Sequence, residues 1–188
     1  MNSSITPSAE RHAQLRRKVA TVIWTLRVLA SIYTLWVLLH ILHPLQDPSE
    51  FLHKVGSYWQ RDLNAGASWQ LGSAVGLNLS LWFLLLAAVI CLWQATQHLL
   101  RDMGLSTITS SWLQRGAWAG LGCAVLGIVT RPLWSYLVTL HLPPQSQLWN
   151  WEIHPSDLLG LLICGVLLML SYLMAWMSEI AEENKAFV

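Results

Sequence analysis

The sequence predicts an all-α integral membrane protein, a bundle of four transmembrane helices with a short amphipathic helix in the first outer loop. Four long apolar runs predict the spans, at residues 19–42, 75–95, 116–140 and 158–177. Crossing roughly 30 Å of hydrocarbon at about 1.5 Å per residue takes about 20 helical residues, which each run supplies. The composition agrees, because 54% of residues are hydrophobic and the 11% that are charged lie almost entirely outside the runs.

The segment before the first run is polar up to Lys18. The run that follows is longer than the roughly 7–15 apolar residues of a secretory signal, so we interpret it as a retained span. The connecting loops are too short for a separate soluble domain. We therefore predict a cytoplasmic N-terminal segment over residues 1–18, a four-helix transmembrane domain over 19–178 and a cytoplasmic tail over 179–188.

Lysines and arginines flank the runs unevenly. They concentrate before the first run and between the second and third, at Arg11, Arg16, Arg17, Lys18, Arg101 and Arg115. The opposite side carries Lys54 and Arg61 in the first loop, and neither residue type occurs between positions 142 and 157. By the positive-inside rule, we expect both termini to face the cytoplasm of a bacterial inner membrane.

The first outer loop contains a helix start at Pro48-Ser49-Glu50, followed by apolar residues on one helical face. These are Phe51, Leu52, Val55 and Trp59. The pattern predicts a short amphipathic helix at the outer membrane surface. Two interpretations stay open: a helix that caps the bundle without binding anything, or one that takes part in a site.

Small residues one turn apart predict where the second and third spans meet. The two stripes are Gly72, Gly76 and Ser80 in the second span, and Gly116, Gly120 and Ala124 in the third. Helices associate in lipid through close van der Waals approach, which small residues permit. Use of either stripe as a homodimer face is the alternative.

Arg131 is a cation within the outer half of the third span, where it costs about 3 kcal/mol unless it has partners. The four-span topology brings Asn78, Ser80 and Asp157 to the same depth. These four residues predict a polar intramembrane cluster. The alternative is a structural arginine whose head reaches the outer headgroups along its aliphatic stem.

Four histidines lie at the outer ends of the spans: His40, His43, His141 and His154. Imidazole binds haem iron and divalent metals such as zinc, so these residues are the candidate ligands of a metal or haem site. They lie at the membrane edge beside prolines rather than at matched depths in two facing helices. We therefore expect no cofactor and keep haem or a divalent metal as the alternative.

The last residues, Ser178-Glu-Ile-Ala-Glu-Glu-Asn-Lys-Ala-Phe-Val188, carry a family resemblance. They resemble the closing pattern of the DUF2975 family of bacterial four-helix membrane proteins. The inner loop, with Leu99-Leu-Arg-Asp-Met and Leu113-Gln-Arg-Gly, looks like the middle segment of that family. The resemblance implies no established activity. Because some members are encoded beside a small helix-turn-helix regulator, it implies a regulatory partner.

The charged end of the fourth span predicts a docking segment for a cytoplasmic protein, with Glu179, Glu182, Glu183 and Phe187 as its contact residues. A solvated helix end is the alternative. The chain shows no metalloprotease, serine-hydrolase or paired-aspartate motif. Its formal net charge of +1 offers no basic surface for direct nucleic-acid binding.

These features predict a non-enzymatic multi-pass membrane protein that acts as an interaction or regulatory component of the bacterial inner membrane. Its expected partners are the lipid bilayer and a cytoplasmic protein or small helix-turn-helix regulator, and homo-oligomerisation stays open. The alternative function is a haem- or metal-binding membrane redox protein that uses the outer-face histidines.

Reporter fusions test the orientation. A fusion after Lys185 should report the cytoplasm, whereas a fusion within residues 145–147 should report the opposite compartment, because an odd number of crossings separates them. Paired alkaline phosphatase and fluorescent protein reporters make the measurement. Two fusions that report the same compartment would rule this arrangement out.

Overall fold

A computed structural model of the chain describes residues 7–63, 68–102 and 107–186. This part of the chain contains five α-helices and no strand. The helices are α1 (Pro7–Gln46), α2 (Pro48–Trp59), α3 (Ser68–Asp102), α4 (Thr107–Thr139) and α5 (Pro155–Ala186), and a 3-10 turn (Pro144–Ser146) precedes α5. The predicted all-α fold is confirmed.

Four of the helices are long and apolar enough to cross a membrane. The candidate spans are Arg17–Gln46, Ser68–Arg101, Thr107–Thr139 and Pro155–Ile180. Between 6% and 17% of the most apolar window of each is buried inside the protein. Large apolar side chains therefore remain exposed along all four helices, as expected of surfaces that lipid covers.

Consecutive spans are neighbours. Helix α3 packs most extensively against α4, α4 against α5, and α1 against α3. Within the described ranges, α1 and α5 share no extensive interface. Four crossings place the connection that contains α2 on the same membrane side as the α4–α5 connection. We call this the α2 side, and we call the opposite one the tail side.

Small residues of α4 contact both of its neighbours. A Cβ atom added at Gly116 would lie 3.2 Å from Cβ of Cys91 on α3, and one added at Gly120 would lie 3.0 Å from Sγ of Cys164 on α5. Nothing lies within 4 Å of the equivalent positions at Gly72 and Gly76. The second and third spans do meet, but the prediction that the Gly72–Gly76 stripe forms their interface is wrong.

The predicted amphipathic helix is present as α2. It starts with Pro48 in its first turn and ends at Trp59, and the following residue, Gln60, has a left-handed φ of 54°. Leu52, Val55 and Trp59 pack against a small cluster of Leu63, Ala74 and Val138. Because Ala74 belongs to α3 and Val138 to α4, the apolar face of α2 covers the ends of these two spans.

Arg27 joins α1 to α3 on the tail side, although it is a cation in an apolar span. Its guanidinium donates from Nε and Nη2 to Oγ1 of Thr96, at 3.1 and 2.9 Å, and from Nη2 to the carbonyl of Trp93 at 3.0 Å. It also lies over the Trp93 ring, 4.8 Å from the centroid. These contacts compensate a side chain that is only 8% exposed, which supports a structural role.

Glycine substitutions test the α3–α4 interface. Gly116→Val should lower thermal stability, because overpacking a close contact costs about 1–3 kcal/mol. Gly76→Val is the matched control, since open space surrounds its position. Thermal unfolding of both variants in one detergent makes the comparison. Equal loss of stability in the two would contradict this assignment of the interface.

Candidate binding cavity

A cavity of about 800 Å³ lies on the α2 side, among α1, α2, α3, α4 and the α4–α5 connection. Small-molecule sites commonly measure about 300–1,000 Å³ and combine apolar walls with a few polar groups. The aromatic lining residues come from α2 and α4: Phe51, Tyr58, Trp59 and Trp134. The polar ones come from every surrounding element: His40, His43, Lys54, Asn78, Thr130, Arg131, Ser135, Asn150 and Glu152.

Aromatic contacts hold α2 over the cavity. The Trp134 ring meets Trp59 edge to face at a centroid distance of 5.6 Å, and it meets Phe51 at 6.4 Å. Such pairs contribute about 0.5–1.5 kcal/mol each beyond their buried area. On the solvent side, Lys54 lies 2.6 Å from Glu50 and lowers the pKa of that carboxyl group. Helix α2 thus directs the Phe51 and Trp59 rings toward Trp134, while its ion pair is largely exposed.

Arg131 and Asp157 form a bidentate ion pair at one wall of the cavity. Nη1 donates to Oδ2 and Nη2 to Oδ1, both at 2.5 Å, and Nη1 also donates to the carbonyl of Glu152 at 2.8 Å. The Asp157 side chain is 11% exposed and that of Arg131 is 34% exposed. Parallel hydrogen bonds between a guanidinium and a carboxylate are among the strongest polar contacts in proteins.

The start of α5 holds the Asp157 carboxylate in place. Asp157 lies in the first turn, and its Oδ2 accepts the backbone N–H of His154 at 2.8 Å. In return, the backbone N–H of Asp157 donates to the carbonyl of His154 at 2.9 Å. This reciprocal arrangement satisfies a backbone donor at the helix end and places a negative charge where the helix dipole favours it.

Two buried hydroxyls attach the α4–α5 connection to α4. Oγ of Ser135 accepts the backbone N–H of Asn150 at 3.2 Å, and Oγ1 of Thr139 accepts that of Leu148 at 3.0 Å. Both hydroxyls donate to backbone carbonyls of α4. The sequence interpretation missed this pair. The sequence pattern that indicates this pair is two hydroxyl residues four positions apart near the end of an apolar span. This spacing places both on one helical face.

The structure brings together part of the predicted polar cluster. Asn78 lines the same cavity as Arg131, and its amide makes no hydrogen bond with any described residue. Ser80 lies outside the cavity lining, is exposed, and donates to the carbonyl of Gly76 at 3.0 Å. Residues two apart on an α-helix point about 200° apart, so Asn78 and Ser80 do not share a face.

The four histidines at the outer ends of the spans do not lie together in the structure. His40 and His43 line the cavity, whereas both ring nitrogens of His141 are buried without a hydrogen-bond partner in the described part of the chain. His154 is exposed, with Nε2 3.7 Å from a carboxylate oxygen of Glu152. Among the described residues, no group of three or more His, Cys, Asp or Glu is placed to hold a metal ion.

The charged C-terminal segment continues α5 as a helix to Ala186. Glu179 and Glu183 are exposed on it. Phe187 lies outside the described residues, and only the backbone of Glu182 is described. The segment is therefore a helical extension that presents carboxylates on the tail side.

No protein-family model, curated protein or solved structure matches the chain. The cavity and the contacts around it are consequently the features from which a function can be inferred.

Substitutions of Arg131 test the ion pair. Arg131→Leu should destabilise the protein by less than the roughly 3–5 kcal/mol typical of fully buried pairs, because Arg131 is partly exposed. Arg131→Glu should destabilise it more, since two carboxylates would then face each other. Thermal unfolding in detergent measures the stability of the two variants relative to the wild type.

A double variant provides the control for that order. Asp157→Asn retains an oxygen that can accept the His154 N–H but removes the charge. Combined with Arg131→Leu, it should cost less than the sum of the two single changes, because each single change strands one partner. Additive losses, or equal losses for Arg131→Leu and Arg131→Glu, would contradict a coupled pair.

Proposed function

We propose that this protein is a non-enzymatic regulatory component of the bacterial inner membrane that binds an amphipathic small molecule in its α2-side cavity. The observation that supports this proposal is the cavity itself. Its volume of about 800 Å³, aromatic walls and unpaired Asn78 amide combine apolar surface with hydrogen-bonding capacity. An amphipathic molecule is complementary to both.

The hydroxyls of Ser135 and Thr130, which line the cavity, favour binding over catalysis. Oγ of Ser135 donates to the carbonyl of Pro132, and Oγ1 of Thr130 donates to that of Leu126. A nucleophilic hydroxyl needs a general base within hydrogen-bond distance, whereas these two are engaged with backbone carbonyls. We therefore expect a bound molecule to leave the cavity chemically unchanged.

Helix α5 offers a route from the cavity to a partner. Arg131 lines the cavity, and its ion-pair partner Asp157 lies in the first turn of α5. The helix then runs without interruption to the exposed Glu179 and Glu183 on the tail side. A ligand that fills the cavity would change the surroundings of Arg131, and a resulting shift of α5 would affect partner binding, with a reciprocal effect on the ligand by linkage.

The proposed partner is a cytoplasmic protein that docks on this charged segment. The resemblance of the tail to the DUF2975 family favours a small helix-turn-helix regulator, and membership of that family is part of the proposal. With both termini cytoplasmic, as the positive-inside rule favours, the cavity faces the outer side and takes its ligand from the outer leaflet.

A cavity-filling substitution tests the proposal. Gly127 lines the cavity, and nothing lies within 4 Å of a Cβ atom added there, so Gly127→Leu would occupy ligand space without striking the backbone. Gly165→Leu is the matched control, because that position is equally open but lies on α5 away from the cavity. Native mass spectrometry of each protein after incubation with a bacterial total lipid extract measures the bound molecules.

We expect a bound lipid species on the wild type and on Gly165→Leu, with at least a tenfold loss on Gly127→Leu. Its recovered mass should equal that of the lipid supplied. Retention by Gly127→Leu, or recovery of a converted product, would overturn the proposal. A Soret band in the purified wild type, abolished by replacing His40 or His43, would instead establish the haem-binding alternative.

A further inference from the structure

The arginine and the lysine that line the cavity are each paired with a carboxylate of the protein. Arg131 is paired with Asp157, Lys54 with Glu50, and Glu152 lies close to His154. The Arg131–Asp157 pair is the strongest of these, because both terminal nitrogens of Arg131 donate to the two carboxylate oxygens of Asp157. An anionic headgroup that bonds to these nitrogens would have to displace Asp157 from this pair, which disfavours an anionic ligand at this wall.

Two of the polar groups that remain are carboxamides. Neither the amide of Asn78 nor that of Asn150 makes a side-chain hydrogen bond with a described residue, and both line the cavity. A carboxamide offers donors and an acceptor together, so it can form hydrogen bonds with a ligand group that does the same. A ligand hydroxyl, which also donates and accepts, satisfies such a group without bringing a charge.

The remaining lining favours hydrocarbon. Phe51, Trp59 and Trp134 supply ring surfaces on the α2 side of the cavity, and Leu81 and Gly127 line it at the level of the spans. Nothing lies within 4 Å of a Cβ atom added at Gly127, so this part of α4 leaves space beside the helix. Acyl chains could fill this space through van der Waals contacts, which are the contacts that hold apolar surfaces together in lipid.

We propose that the cavity binds an uncharged lipid with a hydroxyl-bearing headgroup, of the diacylglycerol or glycosyl diacylglycerol class. The headgroup hydroxyls bond to Asn78 and Asn150, and the chains extend between the spans. This assignment rests on the proposed function and adds the chemical class of the ligand to it.

Four lipid probes of matched chain length test the class. Didecanoylglycerol and monoglucosyl diacylglycerol carry hydroxyls without charge, triacylglycerol lacks the hydroxyl, and phosphatidylglycerol adds a negative charge. Titration of each probe against the full-length protein in one detergent, followed by native mass spectrometry, gives relative affinities. The two uncharged hydroxyl lipids should bind at least tenfold more tightly than the other two.

Variants of the two amides identify the site. Asn78→Leu should weaken didecanoylglycerol binding about tenfold, and Asn150→Ala should weaken it in the same direction. Ser80→Ala is the matched control on α3, because Ser80 donates to its own helix outside the cavity, and its binding should equal that of the wild type. The Asn150 variant lies in a connection, so it preserves the helices if Asn78→Leu is poorly folded.

The outcomes separate this inference from the proposed function. Phosphatidylglycerol binding that equals or exceeds that of didecanoylglycerol, and that Gly127→Leu abolishes, overturns the uncharged class while the cavity remains a lipid site. Didecanoylglycerol binding unchanged by both amide variants also overturns the assignment. Binding of every probe that is insensitive to Gly127→Leu overturns both proposals.

Discussion

The ion pair between Arg131 and Asp157 fixes the geometry on which the α2-side cavity depends. It joins residues 26 positions apart and connects the last third of α4 to the first turn of α5. Because Asp157 also accepts the N–H of His154, the same carboxylate orders the end of the connection. The connection then supplies Asn150 and Glu152 to the cavity lining. This ion pair thereby positions one wall of the cavity, the start of α5 and the α4–α5 connection.

Polar contacts of this kind carry much of the tertiary structure because lipid competes with side chains for apolar surface. In water, burial of leucine and valine drives packing, but in a bilayer the lipid tails are as apolar as the side chains. The spans accordingly share few buried apolar residues, and hydrogen bonds tie them together. Nε1 of Trp82 donates to the carbonyl of Thr34 at 2.9 Å, and Arg27 donates to Thr96. These contacts bind α1 to α3 at two levels.

Much of the architecture could be predicted because hydropathy and helix length are strong signals in a membrane protein. The four spans, the start of α2 at Pro48 and the common depth of Arg131 and Asp157 all follow from counting residues along helices. Rotation of each helix about its axis could not be predicted in this way. Lipid and protein interior are equally apolar, so hydropathy does not show which face of a span meets protein.

For the same reason, the sequence did not predict the cavity. The sequence placed Phe51 and Trp59 on the apolar face of a surface helix. It did not show that this face contacts Trp134 and lines the same cavity as Asn78. It assigned the second-span interface to Gly72 and Gly76, whereas the close contact of α3 with Gly116 is made at Cys91. Asn78 and Ser80 were grouped by depth, and the helical repeat separates them.

The neighbour order of the spans determines how the protein can assemble during synthesis. Each span packs against the one that precedes it in the chain, so α1 and α3 can pair before α4 is made, and α4 can join them before α5. Contacts between helices that follow each other in the chain require the closure of only short loops. They therefore form without an extensive conformational search. The cavity is different, because its wall is fixed only when Asp157 reaches Arg131. Competence to bind would therefore be acquired at the last step of membrane insertion, after the rest of the helices have paired.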